Sequence, residues 1–100
     1  MEKNQYTKAF DYDKIVGVIK VGEKVPGDYI VLKSGRKTLK KLFTDEKIPL
    51  EERQRLPVLK DGQGVLWVVG SRSSELQKLS ETTTMAVIIE THKGGLDREY

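Results

Sequence analysis

The chain has 100 residues, 18 Lys/Arg against 15 Asp/Glu, a net charge of +3 and a mean hydropathy of −0.50. That length makes one small domain with one modest core, and the lack of cysteine excludes disulfides and thiolate zinc sites. No apolar run nears the ~20 residues that span a bilayer, and Met1–Gln5 lacks the apolar core of a signal peptide, so a cytoplasmic protein without membrane contact is expected.

Residues 1–13 are polar apart from Tyr6, Phe10 and Tyr12, and read as an N-terminal edge or tail. Residues 14–21, rich in Val and Ile, read as a strand. Gly22, Pro26 and Gly27 punctuate a loop, with Asp28 suited to bonding nearby backbone amides. A second strand covers 29–32, and 33–36 is a turn. The period then changes: Leu39, Leu42 and Phe43 stand at i, i+3 and i+4, the apolar stripe of a helix. At about 100° per residue, Arg36, Lys37, Lys40, Lys41 and Lys47 fall on an arc away from that stripe. Pro49 stops the helix near Lys47. A second short helix follows, with Glu51 and Glu52 at its positive end and Arg53 and Arg55 at its negative end.

Residues 57–59 form a short strand, 61–64 a hairpin turn, and 65–69 the returning strand. That run is apolar on both faces, which suggests a central strand. Residues 84–90 make a last strand, and 91–100 a disordered tail. The sum is α+β: a mainly antiparallel sheet or sandwich of about five short strands with one or two short helices, its single domain spanning 14–90. The core is expected to comprise Leu39, Leu42, Phe43, Ile48, Leu56, Val58, Leu66, Trp67, Val68, Val87 and Ile89. Trp67 suits packing inside its apolar run better than base stacking.

The basic excess is local. Residues 33–60 hold nine Lys/Arg and four Asp/Glu, while the remainder is net acidic. Such a cluster is either a solvated helix face or a phosphate-binding surface. Catalytic patterns are absent. The glycines form neither a P-loop nor a dinucleotide fingerprint, and the single histidine, His92, stands in a polar tail with no cysteine or serine partner in pattern. Asp45/Glu46 and Glu51/Glu52 are adjacent pairs that splay around their helices rather than converge. No metal or cofactor site is expected.

The motifs Thr7-Lys-Ala-Phe-Asp-Tyr-Asp-Lys-Ile15, Gly27-Asp-Tyr29, Arg36-Lys-Thr-Leu-Lys40, Asp45-Glu-Lys-Ile-Pro49, Glu52-Arg53, Leu59-Lys-Asp-Gly62, Trp67-Val-Val-Gly70 and Lys78 with Glu81-Thr82 occur in an informative order. Together they make the chain closely similar to the C-terminal domain of bacterial tRNA(Ile)-lysidine synthetases, over roughly residues 6–95. The resemblance implies a non-catalytic module of an ATP-dependent ligase that attaches lysine to the wobble cytidine of isoleucine tRNA. ATP and Mg would be bound by a separate catalytic domain. This module would hold isoleucine tRNA, at its acceptor stem, beside the catalytic and middle domains. The expected RNA contacts are Lys37, Lys40 and Lys41 on the first helix and Arg53 and Arg55 on the second, with Arg72 and Lys78 in support. The alternative for Arg53 or Arg55 is an ion pair with Glu51, Glu52 or Asp28. The alternative for the whole module is docking on the rest of the enzyme or forming a homodimer without touching RNA. The chain departs from the family pattern in having Gly22 and Lys24 where a pair of arginines is frequent, Leu50 for an arginine, and Ser71 for a tyrosine.

Overall fold

The structure, a computed structural model, describes residues 6–91. The tail expected from 91 onward lies outside the described residues, Thr91 excepted. Seven strands form three small antiparallel sheets. Strands β1 (Thr7–Asp11) and β7 (Ala86–Glu90) pair in register from Thr7–Glu90 to Asp11–Ala86. Strands β2 (Lys20–Gly22), β5 (Val58–Asp61) and β6 (Gly64–Val68) make a second sheet with β5 in the middle. Strands β3 (Tyr29–Leu32) and β4 (Gly35–Thr38) form a hairpin. Helices α1 (Leu39–Asp45) and α2 (Leu50–Arg53) follow β4.

The strand expected over 14–21 is shorter than its β-branched composition suggests. Residues 12–14 turn in a 3-10 helix, and pairing begins only at Lys20. Val16, Val18 and Val21 are exposed, so that run is not driven inward by its apolar content. The turn expected at 33–36 is also smaller. Leu32 pairs with Gly35, and Gly35 adopts a φ of 119°, leaving only Lys33 and Ser34 in the loop. Arg36 and Lys37 therefore belong to β4 and not to the helix. Thr38 divides the two elements: its side chain accepts from the Lys41 N–H at 3.1 Å, the N-cap that starts α1. The helix ends before Lys47, which turns left-handed at φ 57°.

The β5–β6 layer lies between two apolar clusters. On one side Val58, Val65 and Val68 meet Ile30 and Leu32 of β3 and Leu39, Leu42 and Phe43 of α1. On the other, Leu59, Leu66, Trp67 and Val69 meet Phe10 of β1. The Phe10 and Trp67 rings stand 5.9 Å apart, tilted at 58°. A register shift makes this division possible. Leu59 faces Trp67 but Lys60 faces Val65, so Leu66 is the extra residue of a bulge. Leu66 and Trp67 can thus both enter the same cluster despite being neighbours.

The strand expected to be central, β6, is hydrogen-bonded to only one strand among the described residues. It is apolar on both faces because a core lies on each side of it. Its outer edge is covered by residues 72–74: the Val68 N–H donates to the Arg72 carbonyl and the Ser74 N–H to the Leu66 carbonyl, both at 2.8 Å. Of the expected core, Leu39, Leu42, Phe43, Val58, Leu66, Trp67 and Val68 are buried, and Ile48, Leu56, Val87 and Ile89 are half-buried. Phe10, Ile30, Leu32, Leu59, Val65 and Val69 are also buried and complete the clusters.

Asp61 fastens the end of β5 to residues 16 and 77. It accepts from the backbone N–H groups of Val16 at 3.0 Å and Gln63 at 2.9 Å, and from the side-chain amides of Gln77 at 3.1 Å and Gln63 at 3.3 Å. Burial raises its pKa, but those bonds outweigh burial and leave it below the ordinary carboxylate value. The adjoining Gly62 must be glycine on space alone, since a Cβ there would stand 2.8 Å from the Val16 carbonyl oxygen. Among the described residues no helix is long and apolar enough to cross a membrane.

Candidate nucleic-acid interface

Helix α1 turns Leu39, Leu42 and Phe43 inward and leaves Lys40 and Lys41 exposed. Lys37, arriving from β4, reaches Asp45 at 2.6 Å, and Lys41 reaches the other oxygen of that carboxylate at 3.2 Å. The bond from Lys37, then that from Lys41, holds Asp45 below the ordinary carboxylate pKa. The three lysines are therefore unequal. Lys37 is half-buried and tied, and Lys41 is tied but largely exposed. Lys40 has no side-chain partner among the described residues and is free to meet an external anion. Beside them, Arg36 lies over the Tyr29 ring at 4.5 Å.

On α2 the two arginines separate. Arg53 donates through Nε to the Ile48 carbonyl at 2.7 Å and lies 5.8 Å from the Phe43 ring centroid. It fastens the α1–α2 connection to the core; the carboxylate bridge expected as its alternative is not formed among the described residues. Arg55 is exposed, with no side-chain partner among the described residues. Asp28 instead accepts from the Val25 N–H and from Lys60 Nζ, both at 2.9 Å, and its bond to a nearby backbone amide is the one expected of it. Lys24 donates to the Leu56 carbonyl at 2.9 Å, and burial lowers its pKa.

Arg72 and Lys78 lie elsewhere, on the segment that covers β6. Together with Lys8 of β1 they line one cavity of about 280 Å³. Lys78 pairs with Glu75 at 3.4 Å, and Arg72 approaches Glu46, just past α1, at 3.8 Å. Arg72 thus borders both groups of cations. Lys8 lies within the Thr7–Ile15 motif but is not among the expected contacts. It reaches this cavity only because β1 is brought there by pairing with β7.

Fold and surface together define a small α+β module that offers clustered cations. Residues 19–89 match the model of the TilS substrate C-terminal domain, and the chain belongs to that family. It is 44% identical to a tRNA(Ile)-lysidine synthase of Caldanaerobacter subterraneus subsp. tengcongensis, over 91% of this chain and 20% of that protein. It is 37% identical to the tRNA(Ile)-lysidine synthase of Clostridioides difficile, over 93% of this chain and 20% of that one. The crystal structure of a TilS C-terminal domain superimposes with a TM-score of 0.72 at 30% identity, covering 88% of this chain and 69% of that chain. The chain spans about a fifth of the length of these curated synthases.

Proposed function

We propose that this domain grips isoleucine tRNA, at its acceptor stem, for a tRNA(Ile)-lysidine synthase whose catalytic domain uses ATP and Mg to join lysine to the wobble cytidine. The observation that carries this reading is the division of α1, with three apolar residues buried and Lys40 and Lys41 turned outward. A-form RNA presents phosphates and 2′-hydroxyls more readily than base edges, so exposed cations on a rigid element suit its backbone. Lys40 and Arg55 are the foremost contacts, being unpaired among the described residues. Lys41 and Lys37 contribute by exchanging Asp45 for phosphate oxygens. Arg53 acts mainly by holding α2 in place, while Arg72 and Lys78 extend the surface. The chain itself performs no catalysis in this reading, and it works in the cytoplasm.

The test is fluorescence anisotropy with a labelled isoleucine-tRNA acceptor-stem minihelix at two salt concentrations. Binding should weaken steeply as salt rises. Salt-independent binding, or binding untouched by the double change Lys40→Glu with Lys41→Glu, would refute the proposal.

One observation favours docking as a second reading. Val18 beside β2 and Val21 on it are 74% and 70% exposed, and the outer edge of β2 is unpaired among the described residues. Docking through that edge to the catalytic and middle domains, or to a second copy, predicts association without RNA. A clean monomer in sedimentation that also fails to bind the catalytic part would count against it.

A further inference from the structure

The cavity between β1 and the segment covering β6 differs from the α1 face in being concave and in having a hydroxyl without a partner. Lys8, Arg72 and Lys78 bring three cations to it, against one carboxylate, Glu75. Ser71 Oγ is buried at the same place and makes no hydrogen bond. A buried hydroxyl left unsatisfied is costly and uncommon in a folded protein. Ser73, also in the lining, stands opposite Trp67 in an antiparallel bridge. The flanking bonds from Val68 and to Leu66 involve Arg72 and Ser74. Ser73 is therefore the non-hydrogen-bonded position, and its own N–H faces away from β6.

Resting on the RNA-gripping reading, we infer that this cavity seats one backbone phosphate of the bound RNA. Arg72 supplies a planar fork for two of its oxygens and Lys8 a point charge from the opposite wall. The Ser73 N–H supplies a neutral donor, and rotation of the buried Ser71 side chain brings its hydroxyl to the phosphate as a second. The cavity, of about 280 Å³, has room for a phosphate group. Glu75 sets the limit. It already neutralises Lys78 at 3.4 Å, and Glu46 approaches Arg72 at 3.8 Å, so an entering phosphate must draw both cations from their carboxylates. The seat would fix the register of the RNA on the domain, whereas the convex lysines of α1 attract it from many orientations.

The test is an amide-resolved NMR titration of the chain at constant ionic strength, first with inorganic phosphate, then with the acceptor-stem minihelix. Phosphate should shift the Ser71, Arg72 and Ser73 amides saturably, and the minihelix should move the same three. Arg72→Gln and Lys8→Gln should each weaken phosphate at least about fivefold, as expected for the loss of a charge-assisted bond. Lys33→Gln, removing an exposed hairpin lysine, should leave it unchanged, and Glu75→Gln should strengthen it. Shifts spread evenly over the lysine-bearing surface, or a phosphate response indifferent to Arg72→Gln, would overturn the seat. If the minihelix binds without moving these amides, the seat is not used by RNA, while the RNA-gripping function stands. If phosphate saturates the cavity but the minihelix binds nowhere at low salt, the RNA reading falls and the RNA phosphate falls with it.

Discussion

The two sides of the β5–β6 layer are closed in different ways. One is covered by β3 and α1, joined through β4 in a continuous stretch that follows a hairpin directly with a helix. The other is covered by β1 and β7, segments from near opposite ends of the described chain that meet over five paired positions. Each side carries its own cations. On the first they project from a convex helix and are partly held by Asp45. On the second they surround a cavity assembled from two distant segments. A locally built surface can offer charge with little tertiary help. A concave seat for one anion needs walls from separate parts of the chain.

The comparison can be broken most sharply at the apolar contacts. Phe10→Ala on the chain-end side should cost about 3–5 kcal/mol, and Leu42→Ala on the helix side about 2–5 kcal/mol. Denaturant melting measures both. Hydrogen exchange should then show β1 and β7 losing protection first in Phe10→Ala, with β3 and β4 retaining theirs. Uniform loss across both sides would mean that they form one cooperative unit.

Next in size is the binding face. Lys40→Glu with Lys41→Glu should lower minihelix affinity at least about tenfold at moderate salt, as two phosphate contacts turn repulsive. The melting temperature should barely move, because both side chains are exposed.

Asp61 fastens the β5–β6 hairpin to Val16 and Gln77, and its removal tests that fastening through pH. Its folded pKa is depressed, so its stabilising contribution is present above the unfolded value of about 3.9 and is lost as pH falls through the folded value. Acid titrations of stability should therefore steepen below about pH 4, and Asp61→Asn should flatten that limb. The substitution should also cost about 1–3 kcal/mol at neutral pH, because an amide nitrogen replaces one accepting oxygen. The smallest effect belongs to Asp45→Asn. It frees Lys37 and Lys41, so RNA affinity should rise modestly, most visibly at low salt. Unchanged or weaker binding would show that Asp45 orients these lysines rather than competing for them.

Much of the helix-side architecture was legible in the amino-acid order. Leu39, Leu42 and Phe43 declare their buried stripe by spacing alone, and the β5–β6 turn is marked by Asp61-Gly-Gln-Gly64. Lys37, expected on the first helix, belongs to β4 for a physical reason. Charge on an arc is compatible with either period, and the boundary is decided by the Thr38 cap, whose bond forms only once α1 has turned. The strand expected over 14–21 shrinks to β2 because valine-rich composition measures fitness for a half-buried pleat, and here Val16 and Val18 stay exposed.

By itself the sequence determined the α+β class, the family, the local basic excess and the helix that presents Lys40 and Lys41. Each depends on residues close together along the chain or on the order of motifs. Only the tertiary structure decided that β6 has a core on each face, that Arg53 is a fastener, and that Lys8 shares a cavity with Arg72 and Lys78. Those outcomes depend on which distant segments pair and where a bulge shifts the register. Pairing energy is collected over whole strands and two cores, so no local pattern around Lys8 or Arg72 could have announced it.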